Sequence, residues 1–315
     1  MSTIQIKEAK RSGANLLIGL AGVSGAGKTF SALRLAYGMA NGNAKKIGLL
    51  DTENKRGSLY ADKLPGRAPF LIGDLIPPFS PDRYISAIKE FQAAGIEVLI
   101  TDSVSHEWEC EGGCQDIAEN NKLGGLPNWA LAKAKHKKFV NTLLYTGMHI
   151  IVCMRAREKA RPEQIIDPDT GKKKTVYISE GIQAITEKNF LFEMTASLMV
   201  TDLGKTQTVI KCPADLMPYL GRGKGYLTED DGRAIRQWVD GAEADNPDVE
   251  KFRGSLIEAT ENGIEALRVA WNQTPKDIQK VLGAAFLDSL KASAAEYDKQ
   301  KTVTAANDND TEGDA

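Results

Sequence analysis

The sequence predicts an α/β fold, a mainly parallel β-sheet flanked by helices. Three observations carry that expectation. Short apolar runs without polar alternation recur along the first half of the chain, segments of helical periodicity separate them, and the first run opens directly into a glycine-rich turn. Runs lacking alternation mark strands covered on both faces, as in parallel sheets. Their alternation with helices is the pattern of a doubly wound layer.

Leu16 to Leu20 is the first strand, and Phe30 to Ala40 follows with helical character. Lys46 to Asp51 and Ile96 to Asp102 are two further apolar runs, each ending in an acid. Between them Tyr84, Ile88 and Phe91 recur at helical spacing, as a crossover helix requires. Asn128 to Tyr145 reads as a helix and His149 to Met154 as a fourth strand. Arg155 to Lys188 is polar and interrupted by Pro162, Pro168 and Gly171, and reads as a loop. Phe190 to Asp202 and Gln207 to Cys212 read as strands joined at Leu203-Gly204-Lys205, and Asp230 to Trp238 as a closing helix. Residues 241–248 resemble a linker, Ile257 to Trp271 and Pro275 to Lys291 are helical, and 301–315 is acidic and expected to be disordered. The expected domains are therefore a core at 1–239, a helical region at 240–300 and a tail at 301–315.

With 42% hydrophobic and 26% charged residues, the 315-residue chain is not disordered throughout, collagen-like or membrane-embedded. Its 40 basic and 42 acidic residues give a formal charge of −2, which argues at first against a nucleic-acid partner. The sum hides an asymmetry: the chain from Asp240 carries 8 basic and 16 acidic residues, leaving a body of net +6. No run reaches the roughly 18 apolar residues of a membrane span, and the N-terminus lacks the apolar segment of a secretory signal. A cytoplasmic protein is expected. The four cysteines are too few for a disulfide framework. His106, Cys110 and Cys114 recur every four residues, so a helix would align them for a metal such as zinc. Gly112-Gly113 weakens that helix, and unliganded thiols in a loop are the simpler reading.

Gly22-Val23-Ser24-Gly25-Ala26-Gly27-Lys28-Thr29 fits the P-loop pattern G-x-x-x-x-G-K-[ST] in full. Such glycines let successive N–H groups turn inward onto phosphate oxygens, and the following helix adds its positive dipole end. Gly22, Ser24, Gly25, Ala26, Gly27, Lys28, Thr29 and Phe30 are the expected contacts of ATP, with Lys28 on the β/γ-phosphates and Thr29 on Mg²⁺. Asp102, closing an apolar strand, is the expected second metal-associated group. Hydrolysis also needs a carboxylate to activate water. Ser103 follows Asp102, so that glutamate is not adjacent; Glu53, two residues beyond Asp51, is delivered to the same sheet edge as the P-loop.

These segments, with Leu50 to Glu53, Leu59-Tyr60-Ala61 and Leu99 to Val104, resemble the RecA-like recombinase ATPases. The likeness covers roughly residues 15 to 225 and is nearer to phage-encoded RecA-core proteins of single-strand annealing and recombination. The resemblance implies a RecA-like P-loop NTPase core with Glu53 as the water-activating glutamate and Asp102 as the metal-associated aspartate. It implies a homo-oligomer, ring or filament, with Lys205 and Lys211 as the nearest matches to trans-acting basic residues. At the end of the fourth strand, where the family often has an amide that senses the γ-phosphate, this chain has Arg155. The family binds single-stranded DNA through two loops, here Glu107 to Pro127 and Arg155 to Lys188. The second supplies Arg157, Lys159, Arg161, Lys172, Lys173, Lys174, Tyr177 and Lys188, charge for phosphates and a ring for bases. Lys133, Lys135, Lys137 and Lys138 lie on the adjacent helix. The first loop is acidic, and its Trp108 and Trp129 are more readily core residues.

The expected function is a Mg²⁺-dependent, DNA-stimulated ATPase of annealing or recombination, of phage or prophage origin. An alternative is a nucleotide-switched assembly factor or helicase-loader-like protein that recruits a protein partner through its acidic C-terminal region. A small-molecule kinase has less support, since no lid-like arginine cluster is evident.

Overall fold

The computed structural model describes residues 14–166, 173–240 and 247–309. The chain divides into two compact units, one within Gly13–Val239 and the other from Asp240 onward. In the first unit β1 (Leu17–Gly22), β2 (Ile47–Asp51), β3 (Leu71–Asp74), β4 (Val98–Asp102), β5 (His149–Ile166), β6 (Lys173–Ala184), β7 (Ala196–Thr201) and β8 (Thr206–Lys211) form one sheet. Its order is β3-β2-β4-β5-β1-β7-β8, with β6 paired to β5. The pairs from β3 through β7 are parallel, and β7–β8 and β5–β6 are antiparallel. This is the expected α/β class with a mostly parallel sheet.

The helices are α1 (Lys28–Met39), α2 (Pro81–Ala93), α3 (Ser105–Glu109), α4 (Cys114–Asn120), α5 (Trp129–Tyr145), α6 (Phe190–Glu193), α7 (Met217–Leu220) and α8 (Glu229–Asp240). Alternate strand residues enter two separate cores. Ile18, Leu20, Leu49, Ile100 and Ile151 pack with Leu33, Met39, Ile235 and Val239 of α1 and α8. Leu17, Leu50, Leu99, Ile150 and Val152 pack with Tyr84, Ile88, Phe139 and Leu143 of α2 and α5. Both faces are dry, which is why the strands show no alternation. Each such side chain contributes about 1.5–3 kcal/mol on burial. α2 opens with Pro81 at its start and α5 with Asn128, whose side chain accepts the Leu131 N–H at 3.1 Å. α1 and α8 approach closely at Gly38, where a Cβ would lie 1.9 Å from the Glu229 carbonyl.

Four expectations are corrected. Arg155 to Lys188 is not a loop: β5 runs on from the sheet to Ile166 and pairs with β6 as a long hairpin. Backbone pairing holds it, because beyond Met154 most of its residues are exposed on both faces and leave no apolar signature. Glu107 to Pro127 contains the end of α3 and all of α4, so Cys114 opens a helix; Gly112 (φ 74°) and Gly113 separate the two helices and do not abolish them. Phe190 to Asp202 splits into α6 and β7.

The fourth correction is in the second unit, where α9 (Pro247–Thr260), α10 (Ile264–Gln273) and α11 (Lys276–Asn309) enclose Leu256, Leu267, Ile278, Leu282, Leu290 and Ala294. Gly263 (φ 89°) breaks the helix expected over Ile257 to Trp271. α11 is kinked at Gly283, and no proline or glycine follows within it. Residues 310–315, the linker residues 241–246 and Lys172 lie outside the described residues. Among the described residues no helix is long and apolar enough to cross a membrane.

Candidate nucleotide and catalytic site

The site is built where parallel strands end together. Gly22 of β1 lies in register with Arg155 of β5, Asp102 of β4 with Cys153 of β5, and Asp51 of β2 with Asp102. β5 therefore separates the loop strand from the Asp102 strand, and residues at both edges of β5 face one cavity. This space of about 260 Å³ is lined by Ser24, Gly25, Lys28, Thr29, Asp51, Glu53, Tyr60, Asp102 and Arg155, among others.

The loop from Gly22 turns through Gly25 (φ 78°) and Gly27 (φ 95°) into α1. Gly27 is doubly constrained, because a Cβ there would stand 2.5 Å from the Leu203 carbonyl carbon and the Gly204 nitrogen. Lys28 Nζ donates to the carbonyls of Gly22 and Val23, each at 3.0 Å. Thr29 Oγ1 donates to Asp102 Oδ2 at 2.5 Å. Burial pushes the Asp102 carboxyl up to about 6, only partly offset by the Thr29 hydrogen bond and the Lys28 charge. A hydroxyl and a poorly solvated carboxylate side by side are a hard-oxygen donor pair that fits Mg²⁺.

Glu53 is presented by a turn that Asp51 holds. Asp51 Oδ1 accepts the Glu53 N–H at 2.6 Å and Oδ2 accepts the Gly57 N–H at 2.7 Å. Asp51 thus acts as a brace, a role the sequence did not reveal. Arg155 grips the Glu53 carboxylate bidentately, Nε on Oε1 at 2.8 Å and Nη2 on Oε2 at 2.6 Å. Arg56 Nη1 lies 3.8 Å from Oε2 and His106 Nε2 3.8 Å from Oε1. Burial raises the Glu53 carboxyl, but hydrogen bonding and charge from Arg155, with the Arg56 charge, outweigh it and hold the group below its usual range. Glu53, Lys28 and Arg155 are therefore brought together with Thr29 and Asp102. Tyr60, also lining the cavity, stacks on the half-buried Phe30 with centroids 6.3 Å apart. The two rings form an apolar flank beside the polar phosphate loop.

The basic residues beyond Arg155 are not free charges throughout. Arg157 pairs with Glu109 at 3.1 Å, and Arg161 with Glu163 at 3.1 Å and Glu180 at 3.9 Å. Lys173 and Lys174 begin β6 at the far end of the hairpin opposite the exposed Ile166 and Ile165, and Tyr177, opposite Pro162, is 76% exposed. Lys159 and Lys188 border a groove of about 800 Å³. Lys135 pairs with Asp82 at 2.6 Å. Lys211 Nζ donates to the Phe192 and Met194 carbonyls, each at 2.6 Å, and the Lys205 ammonium stands 6.0 Å over the Tyr226 ring. Trp108 and Trp129 stack on one another at 6.1 Å, the first half-buried and the second exposed.

The structure separates the His106, Cys110 and Cys114 set. His106 hydrogen-bonds Thr52, whereas Cys114 Sγ donates to Glu107 Oε1 at 3.2 Å. Among the described residues the group close enough to share an ion is Glu107, Cys114 and His136, with ligand atoms within 4.8 Å of one another. Its contacts form a hydrogen-bond network in which His136 Nδ1 meets Glu107 Oε2 at 3.0 Å while His136 Nε2 is buried without a partner among the described residues, and burial with the Glu107 charge raises the Cys114 thiol and keeps it protonated.

A glycine-rich loop between a buried strand and a helix, with a buried acid against its threonine, defines a P-loop nucleotide-binding domain. A family profile described as an AAA domain matches residues 14–196, more than half of the chain, and the chain belongs to that family. The larger unit is accordingly an AAA-type P-loop ATPase domain. Among solved structures, the chain is similar to a KaiC-like protein from the hyperthermophilic archaeon Pyrococcus horikoshii OT3 at 14% identity and a TM-score of 0.29, over 55% of this chain and 89% of that one. No curated protein matches the chain.

Proposed function

We propose that the protein is a Mg²⁺-dependent ATPase that binds single-stranded DNA along its β5–β6 hairpin and promotes annealing or homologous pairing as a homo-oligomer. The observation that carries this reading is one side chain, Arg155, which holds the candidate base Glu53 and stands where β5 leaves the sheet to become the hairpin. Thr29 and Asp102 would hold the Mg²⁺, which screens the phosphate charge. Lys28 binds the terminal phosphates, and the stacked Phe30 and Tyr60 offer an apolar seat for a base. Glu53 takes the proton of the attacking water as the water oxygen bonds to the γ-phosphorus. The bond to the β,γ-bridging oxygen breaks, and ADP leaves with that electron pair.

Lys28→Ala is expected to abolish binding of a fluorescent ATP analogue, whereas Glu53→Gln keeps binding and loses at least 100-fold in turnover, on the order of the contribution of general-base catalysis. Lys173→Glu with Lys174→Glu is expected to weaken single-strand binding and to flatten its salt dependence by about one to two log–log units, leaving ATP affinity unchanged. Unchanged retention of single-stranded DNA at low salt by that variant would remove the hairpin from the reading.

A second reading, a nucleotide-switched loader, is favoured by one feature: the region from Asp240 carries net charge −8 and has its own helical core. It predicts that deleting 241–315 abolishes partner capture and leaves DNA binding intact.

A further inference from the structure

His106 is 4% exposed, lies outside the phosphate loop, and faces the candidate base directly. Its ring is wedged against Phe79 at 4.9 Å between centroids. On one side Nδ1 meets Thr52 Oγ1 at 2.7 Å, and on the other Nε2 stands 3.8 Å from Glu53 Oε1.

The hydrogen bonds around Thr52 decide which ring nitrogen carries the proton. Thr52 Oγ1 already accepts the Ser103 N–H at 2.8 Å. Its own proton can go to the Ser103 carbonyl at 3.2 Å, to His106 Nδ1 at 2.7 Å or to the neighbouring Tyr84 hydroxyl. The Ser103 carbonyl is already served by the Tyr84 hydroxyl at 2.8 Å, and the shorter contact is to the imidazole. The shortest of these contacts gives the Thr52 proton to Nδ1, and a neutral ring with that partner carries its hydrogen on Nε2. Burial, reinforced by the Arg155 charge, holds His106 below its usual range, so the ring is neutral at pH 7. The opposite tautomer would turn a nitrogen lone pair toward a carboxylate.

We propose that His106 is a positioning residue for Glu53, its tautomer set by Thr52 so that Nε2–H faces Oε1 and fixes the carboxylate for proton abstraction. A carboxylate has about four acceptor sites. Arg155 fills two; His106 stands 3.8 Å from Oε1 and Arg56 3.8 Å from Oε2, neither close enough to close the remaining sites to the water proton. At 3.8 Å the His106 contact is electrostatic and longer than a hydrogen bond; catalytic contacts commonly shorten only once substrate is bound. The other groups facing Glu53 are Arg155 and Arg56, and those facing His106 are Arg155 and Asp51.

The inference rests on Glu53 being the base. In the full-length protein, His106→Ala is expected to lower kcat about tenfold, to leave the ATP-analogue Kd within about twofold, and to move the acid limb of the kcat–pH profile upward. The shift is upward because the ring's N–H favours the ionised carboxylate. His106→Gln, which keeps a terminal N–H donor, recovers most of the loss. Thr52→Val lowers kcat in the same way, and Thr52→Ser does not. Glu53→Gln combined with His106→Ala is no slower than Glu53→Gln alone. A kcat for His106→Ala within twofold of the parent, an unmoved acid limb, or a full further loss in the double variant overturns the inference while Glu53 stands. Normal turnover in Glu53→Gln overturns both assignments.

Discussion

Asp102 carries a cost that Mg²⁺ would offset on the proposed reading. Its carboxyl, raised from 3.8 to about 6 by burial, binds a proton more tightly in the folded chain than in the unfolded one. Between these two values the native state holds more protons, so stability falls as pH rises from about 4 to about 6 and is then level. A shift of this size corresponds to roughly 3 kcal/mol of strain in the ionised, nucleotide-free protein. Asp102→Asn is therefore expected to raise the urea midpoint of the nucleotide-free protein at pH 8, to change it little at pH 4, and to weaken Mg²⁺-dependent ATP binding. A midpoint that responds equally at both pH values would contradict the assigned cause. Arg155 and Glu53 show the opposite balance, since each is matched by the other's charge and both stay ionised near neutrality.

Among the elements, the α1–α8 contact leaves the least room. Gly38→Ala would push a methyl into the Glu229 carbonyl and the Arg233 nitrogen, both backbone atoms that cannot rotate away. A loss of about 3 kcal/mol is expected in chemical denaturation. The bidentate Arg34–Glu229 pair nearby, at 2.9 and 2.8 Å, fixes the same crossing and resists any sliding of α8. Elements dry on both faces were legible in the sequence, because apolar runs such as Val98 to Ile100 fill such positions. The β5–β6 hairpin was not, since its backbone ladder is indifferent to side-chain polarity. That Lys28, Thr29 and Glu53 would line one cavity could be read from spacing and strand ends. The Asp51 brace and the Thr52–His106 contact could not, because they depend on how the chain turns after β2 and after β4.

For the whole molecule, each compact unit has its own apolar core, one pair about the sheet and one among α9, α10 and α11. A chain ending at 239 is expected to fold, to bind the ATP analogue with unchanged affinity, and to keep its melting temperature within about 2 °C, as an autonomous domain does. On the proposed reading it binds single-stranded DNA more tightly at low salt, since the region of net −8 no longer competes for the basic surface. Weaker DNA binding by this shortened chain would count against that competition. Within the larger unit, β5 is a cantilever. It is gripped by β1 and β4 over its first residues and is supported beyond the sheet by β6. A beam loaded at its free end bends most at the clamp, and at that clamp stands Arg155, with its guanidinium on the Glu53 carboxylate.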